Sequence, residues 1–458
     1  TSPLLQTAEG SLGTVVGRRV LTEFPLNGRS FQDLLSLGAG VVPTTRATRI
    51  GIGDVSVNGV RYQSNNYVLD GADNNSNIFN SQNNDPTAYA PPPDALSEFK
   101  VLTNSYSAEY GRGAGAAISA AIRSGTNEFH GSAYEFLRND KLDARNFFAL
   151  QPAKLRRNQF GGTFGGPIVR NKSFFFFSYE GRTIRTPGSD AFGNVPTVEA
   201  TSGDLGAYKR VFDPTNGAPF PNNRIPASRF DPVSVRLSKM WPQPNLGGIF
   251  RNYLYRTSSR DNRGKYDARV DHTFSTKDSL FFRLSVQQQK SDTNRGIPLE
   301  VDRNNVNRNV QETNQRSAAA GQTHVFGPSA VNEFRAVFHW TRSDVRWGTN
   351  DNIAAKFSVP GLPAELLSTP GMPAYAISGM NSIGGATYNP NLMREQTLQI
   401  KDSLFQIRGS HTIKVGGEFK SQHIPFSVAQ VAMGSFSFTG VFTASGAGTG
   451  EGFGDFML

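Results

Sequence analysis

The chain has 458 residues, a formal net charge of +10, 37% apolar residues and no cysteine. Without cysteine there is no disulfide framework, no thiol nucleophile and no thiolate zinc site. The positive balance first suggests nucleic acid, but Arg and Lys are scattered in short groups such as Arg18-Arg19 and Arg156-Arg157, so no nucleic-acid partner is expected.

Aromatic residues make up 11% and Phe alone numbers 34, which argues against disorder. Mean hydropathy is only -0.40, and no apolar run approaches the roughly 20 residues of a transmembrane helix. The chain opens TSPLLQTAEG, without Met, a basic start or an apolar stretch of signal-peptide type. That opening reads as a mature or excised piece of a longer protein.

Taken in chain order, residues 1 to about 122 read as a small mixed α/β unit. In LNGRSFQDLLSLG, Ser30 is a candidate N-cap with Asp33 three residues later. Phe31, Leu34 and Leu35 share a face and Gly38 is a stop, which predicts one short helix. VSVNGVRY carries the Asn58-Gly59 pair of a tight hairpin. NYVLDGADNN predicts a strand running into an Asx/Gly loop. PPPDALSEFKVL predicts a helical turn over Asp94 to Phe99 and then a strand, and AGAAISAAIRSG a small-residue strand.

After Gly125 the texture changes to segments of about ten residues in period-two alternation, the mark of strands with two unlike faces. Tyr266, Ala268, Val270, His272 and Phe274 oppose Lys265, Asp267, Arg269, Asp271 and Thr273. Leu280, Phe282, Leu284 and Val286 oppose Phe281, Arg283, Ser285 and Gln287. Phe334, Ala336, Phe338 and Trp340 oppose Glu333, Arg335 and His339; Ile413, Val415, Gly417 and Phe419 oppose Thr412, Lys414, Glu418 and Lys420. Short turns at Arg170-Asn171-Lys172, Ser275 to Asp278, Gly327-Pro328-Ser329 and Arg408-Gly409-Ser410 alternate with long polar stretches near 139–156, 186–262, 291–312 and 345–393. Short turns on one side and long loops on the other are the habit of outer-membrane β-barrels, and alternation also explains the low hydropathy. In the run Phe174 to Phe177, Phe175, Phe177 and Tyr179 share one face and Phe174, Phe176, Ser178 and Glu180 the other, with one face expected towards lipid headgroups and the other against the plug. Gly161-Gly162 and Gly165-Gly166 mark close approaches to the wall.

Several segments, in order, resemble the TonB-dependent receptors of the bacterial outer membrane, in particular the Oar-like branch. They are FPLNGRSFQDLLSLGAGVV, VSVNGVRYQSNNYVLDGADNN, DALSEFKVLTNSYSAEYGRGAGAAISAAIRSGTNEFHGSAYEF and RNQFGGTFGGPIVRNKSFFFFSYEG, with GFGDFML further on. The resemblance implies a mainly β fold: a small α/β plug domain over 1–125, followed over 126–458 by antiparallel transmembrane β-barrel strands with long extracellular loops. About ten strands are counted where plugged transporters have 22, so the barrel is expected to be incomplete and the chain a fragment lacking the TonB box. The implied function is active import of a scarce substrate through a plugged barrel, driven by the inner-membrane TonB complex. The implied partners are that complex, outer-membrane lipid and an unknown small-molecule, oligosaccharide or protein cargo.

No catalytic residue, cofactor or metal is expected. The six histidines stand singly without HExxH, GxSxG is missing, and GRGAG lacks the GK[ST] ending of a phosphate loop. The candidate substrate-binding residues are Asp70, Asp73, Asn74, Asn75 and Asn77, in the Asp/Asn-dense stretch Asp70 to Asp85 taken as the plug apex. Asp and Asn are also ordinary loop formers. Inward Lys265, Arg269, Asp271, Arg283, Arg335, Lys414 and Glu418 read as a hydrated wall paired with the plug, or as an anion path. The rival readings are a passive porin or adhesin barrel and a secreted glycan-binding β-protein.

Overall fold

The computed structural model describes residues 12–43, 55–77, 86–145, 147, 152, 154–294, 308–347, 352–357, 359–367, 370–385, 389–428 and 433–458. The strands in chain order are β1 (Leu12–Gly17), β2 (Val41–Pro43), β3 (Val55–Val57), β4 (Asn66–Leu69), β5 (Ala72–Asp73), β6 (Leu96–Asn104), β7 (Ala117–Ile122), β8 (His130–Asn139), β9 (Arg156–Val169), β10 (Ser173–Gly193), β11 (Tyr253–Thr273), β12 (Asp278–Asn294), β13 (Arg308–Gly327), β14 (Ala330–Trp347), β15 (Ala374–Ile377), β16 (Asn391–Arg408), β17 (His411–His423), β18 (Phe426–Val428) and β19 (Ser435–Phe438).

The small domain is a five-stranded sheet in the order β1-β6-β7-β4-β5, with β4 parallel to β7. Its core joins Leu21, Phe31, Leu34, Leu35, Leu69, Leu96, Phe99, Ile118 and Ile122. Phe31, Leu34 and Leu35 are buried together as their spacing requires, but the segment Phe31–Leu37 winds as a 3₁₀ helix. Ser30 does not cap it; its hydroxyl turns to Gln32 Oε1 at 3.3 Å. A seven-residue element held by packing gains little from a regular α-turn. The expected helical turn over Asp94 to Phe99 shrinks to Pro93–Ala95. From Leu96 onward the chain pairs with β7 and, further along, with β1, and those ladders override the local preference. Asn58 and Gly59 take left-handed φ values of 50° and 79°. Their turn closes only onto Val60, since β3 pairs with β2 instead.

The wall is an antiparallel sheet in the order β8-β9-β10-β11-β12-β13-β14-β16-β17, with β18 added beside β16, ten strands in all. Among the described residues it is open, with β8 and β17 as its edges. The sequence alternation holds along its length. Outward, Val270, Phe282 and Phe338 are 42%, 51% and 44% exposed, whereas Asp267, Arg283 and Ser317 on the inner face are each 0% exposed. The turn at Arg170 and the long connection after Gly193 lie at opposite ends of β10, as the alternation of short and long links demands.

Two expectations change here. First, β10 through β14 and β16 run for 17–21 residues, well beyond the 9–11 that cross a bilayer. The ladders therefore continue into stretches read as loops, and the connections shorten to 194–252, 295–307 and 348–390. Residues 295–307 are outside the described residues. Second, the long connections are not simply polar. Val195, Leu205, Val211, Leu237, Met240, Trp241, Trp347, Met372, Tyr375, Ile377, Phe453, Phe456 and Met457 form a second hydrophobic core beyond the wall. This outer lobe draws on 194–252, 352–385 and 433–458, and β15 pairs in parallel with β19 within it. GFGDFML becomes the buried helix Gly452–Met457.

Phe176 is 2% exposed and belongs to the core of the small domain although it sits on β10. Arg123 of the small domain lies over its ring at 5.0 Å. Gly161 and Gly166 of β9 lie against aromatic rings near β8, whereas a Cβ on Gly162 would meet the Ser132 carbonyl. A Cβ on Gly166 would lie 2.2 Å from Phe129, and one on Gly161 would lie 2.7 Å from the Tyr134 hydroxyl.

The outer lobe offers a local test. The Asp455 carboxylate accepts from the amides of Gly440 (2.7 Å) and Thr443 (2.8 Å) and from the Thr443 hydroxyl (2.8 Å). Asp455→Ala strands these buried donors at a cost of about 2–4 kcal/mol. Limited proteolysis is expected to cut within 435–451 of the variant while the wall strands stay protected; unchanged protection of 435–451 would contradict the clasp.

Candidate functional site between the small domain and the wall

Asp70 and Gly71 join β4 to β5 with φ of 53° and 82°, the two left-handed positions of a type I′ turn, which suit Asp-Gly. The loop read from sequence is therefore a tight hairpin. Its tip points at β11, β12 and β14. Asp70 accepts the Ile122 amide at 2.9 Å, pairs with Arg269 Nη1 at 3.1 Å and with Arg283 Nε at 2.8 Å. The side chains of Asp70 and Arg283 are 2% and 0% exposed. Arg283 also donates to the hydroxyls of Ser285 (2.8 Å) and Ser317 (3.1 Å). Ser285 in turn donates to Asp267 at 2.6 Å. Tyr89 of the small domain is wholly buried, and burial with the neighbouring Asp267 carboxylate pushes its phenol well above the usual range. Lys265 donates to the Ala90 carbonyl at 2.7 Å. Beyond Gly71, whose left-handed backbone suits glycine, a Cβ would stand 3.3 Å from Arg335 Nε.

The far end of β5 is gripped by β14, β16 and β17. The Asp73 carboxylate pairs with Lys420 and accepts the Asn75 amide at 2.8 Å. Its own amide donates to Gln399 Oε1 at 2.8 Å and its carbonyl faces His339 Nε2 at 2.7 Å. Burial alone would raise the Asp73 pKa, but Lys420 and the Asn75 donors outweigh it and hold the carboxyl below its ordinary value. Asn74 exchanges two hydrogen bonds with the Tyr89 backbone at 2.8 and 3.1 Å. Asn75 does the same with the Tyr67 backbone at 2.9 and 3.1 Å. Asn77 donates to Glu395 at 2.5 Å and accepts from Arg112 at 2.9 Å.

The five residues chosen from sequence are thus brought into one 70–77 segment, but with unlike surroundings. Asp70 and Asp73 are ion-paired to the wall, Asn74 and Asn75 hold the segment's own fold, and Asn77 lies half-buried between wall and Arg112. Residues 78–85 of the same stretch are outside the described residues. The inward charges divide similarly. Arg269 and Arg283 take Asp70, Lys414 and Lys401 take Glu109 (2.8 and 3.5 Å), and Glu418 pairs with Lys420 at 3.6 Å. The hairpin stands between a cavity of about 540 Å³ bordered by Asp70, Ser119, Arg269 and Arg335 and one of about 90 Å³ bordered by Asp73, Glu109, Arg112 and Lys401.

Sequence reading missed a third anchor. Arg29, in the left-handed region at φ 51°, pairs with Asp94 and with Glu180 of β10. Its guanidinium lies between the rings of Tyr134 and Phe136 at 4.4 and 4.3 Å. Beside it, Asn27 accepts from Arg138 (2.9 Å) and Arg157 (2.6 Å). The available signal was the polar, glycine-containing NGR preceding an apolar helix-like run. Among the described residues no group of three His, Asp or Glu could hold a metal ion.

Asp70→Asn leaves the buried Arg283 and Arg269 without their shared anion and is expected to destabilise the docked domain by about 3–5 kcal/mol, more than Arg283→Met in the Asp70→Asn background. Urea unfolding of the detergent-solubilised protein measures this; a loss under about 1 kcal/mol would contradict the anchor. A depressed carboxyl contributes stability above its unfolded pKa, near 3.9, and loses it as pH falls through the folded value. Thermal midpoints are therefore expected to drop below about pH 4 in the parent, with a shallower drop in Asp73→Asn.

Two family models match the sequence: the TonB-dependent Receptor Plug Domain over residues 10–118 and an outer membrane beta barrel domain over residues 121–458. The TonB-dependent transporter Oar of Myxococcus xanthus is 32% identical over 159 residues, which is 33% of this chain and 14% of that protein. The outer membrane transporter YddB from Escherichia coli superposes with a TM-score of 0.53 at 10% identity, covering 90% of this chain and 48% of the other. The siderophore receptor PirA from Acinetobacter baumannii gives 0.53 at 13% identity, again over 90% and 48%. At such identities the structural likeness speaks for the fold, and the chain spans about half the length of these solved relatives.

Proposed function

Because the chain belongs to the TonB-dependent receptors of the bacterial outer membrane, we propose that it works in active transport across that membrane. In this reading residues 1–125 are the plug and 126–458 the strands that enclose it, with the outer lobe on the extracellular side and the short turns on the periplasmic side. The TonB energy-transducing complex and outer-membrane lipid are its partners. The cargo is a scarce small molecule, oligosaccharide or protein, and no covalent chemistry is involved.

The observation that carries the reading is the character of the plug–wall contact. Apart from Phe176 and the small cluster Ala72, Ala319 and Val337, the contact described above is made of discrete charged and hydrogen-bonded anchors flanked by cavities. Polar anchors can be exchanged for water one at a time, whereas a continuous apolar seam would have to open at once. The segment Asp70, Asp73, Asn74, Asn75 and Asn77 is the coupling unit. Cargo meets its Asn77 end beside Arg112, and the disturbance reaches the Asp73–Lys420 and Asp70–Arg283 pairs. A passive porin or adhesin has no use for such a domain within the wall.

The chain's lack of cysteine gives a clean test. Ala72 is 3% exposed, so Ala72→Cys is reachable by a membrane-impermeant maleimide only when the hairpin leaves the wall. Labelling of energised cells is expected to exceed that of protonophore-treated cells several-fold. Equal labelling in both would count against energy-coupled movement.

A further inference from the structure

We propose that a basic patch on the outward face of β13, β14 and β16 binds the phosphate groups of an anionic lipid headgroup in the leaflet that surrounds the wall. The inference rests on the membrane-barrel reading above and adds a docking surface to it. Trp340, Arg342, Asp344 and Arg346 follow one another at alternate positions of β14, on the same face as Phe338, which is 44% exposed. Arg342 stands opposite Arg394 of β16, and Arg394 continues the outward row that holds Leu398 and Ile400, each 39% exposed. Arg316 of β13 stands opposite Trp340 and lies over its ring at 5.0 Å. The arginines therefore begin where the apolar band ends, with a tryptophan at the boundary, which is where an aromatic girdle meets headgroups.

The charge balance says what the patch lacks. Asp344 is only 7% exposed and takes Arg342 at 2.7 Å, Arg346 at 3.1 Å and Arg394 at 2.5 Å. One carboxylate holds three guanidiniums together and cannot neutralise them, and Arg316 adds a fourth. The adjacent Lys290 and Glu312 satisfy each other at 2.6 Å. Arg342 and Arg346 remain 42% and 57% exposed, with donors to spare, since a guanidinium carries five. A clustered, outward, incompletely neutralised set of forks suits phosphate oxygens. Its level beside an apolar band places a phosphate borne by an acyl-chain lipid there rather than one free in water.

The test is titration of the whole chain in neutral detergent with a bisphosphorylated glucosamine lipid (lipid A), with its dephosphorylated form and with inorganic phosphate. The phosphorylated lipid is expected to bind tightest, more weakly as salt rises. A chain carrying R342Q, R346Q, R394Q and D344N should bind it about tenfold more weakly, with no change towards the dephosphorylated lipid. D344N alone frees the three guanidiniums and is expected to tighten binding, a gain that a merely structural role would not give and a second readout if the quadruple variant does not fold. Equal binding of both lipids, equal affinity for inorganic phosphate, or indifference of binding to these substitutions would overturn the proposal. If the parent chain, boiled and unboiled, ran at the same position on a gel, the barrel reading beneath the proposal would fall instead.

Discussion

One carboxylate at the tip of a two-residue turn organises the inner half of the molecule. Asp70 can reach Arg283 and Arg269 only because Asp-Gly accepts two successive left-handed residues. Arg283 can be fully buried because Asp70 neutralises it and Ser285 and Ser317 each take one of its Nη donors. On the inner face of β13, Ala319 packs against Ala72 of the hairpin, and Gly321 leaves room for the Phe281 ring and Arg335. The hairpin tip's place against β11 and β12 follows from that paired charge, as its far end's place follows from Asp73 and Lys420.

Much of the wall was legible in the sequence because strand alternation is a strictly local signal. Each of Tyr266, Phe282, Phe338 and Ile413 was assigned to the outward face from its neighbours alone, and the structure keeps that parity. The inward charges were legible as a set but not as pairs, since Asp70 with Arg283 and Asp73 with Lys420 join residues hundreds of positions apart. The five candidate residues were chosen for composition. The chain uses its Asp and Asn for two tasks that composition cannot separate, ion pairing to the wall and holding the local backbone.

The outer lobe was illegible for a different reason. Val195, Leu205, Trp241 and Met372 follow no common helical or strand period, and Phe453 and Phe456, though one helical turn apart, lie more than 200 residues from the first connection, so nothing local says that they share a core. Only when the wall brings its long links to one end do those residues meet. Arg29 was hidden similarly: a lone arginine after Asn-Gly gives no hint that Tyr134, Phe136, Glu180 and Asp94 will surround it. Where the wall depends on strand alternation, sequence sufficed; where the fold depends on which loops become neighbours, it did not.

The lobe's construction has a consequence for the order of assembly. Its parallel β15–β19 ladder, and the bond from the Phe212 amide to the Thr443 carbonyl at 3.0 Å, close loops of very different length across the chain. Closing the longest of them in an unfolded chain would be slow and entropically costly. Once the strands between are paired, the ends are already side by side and the same closure is short. The lobe is therefore expected to order after the wall strands have paired. Its compactness can serve a cell, or an experimenter, as a signal that the strands beneath it have found their partners.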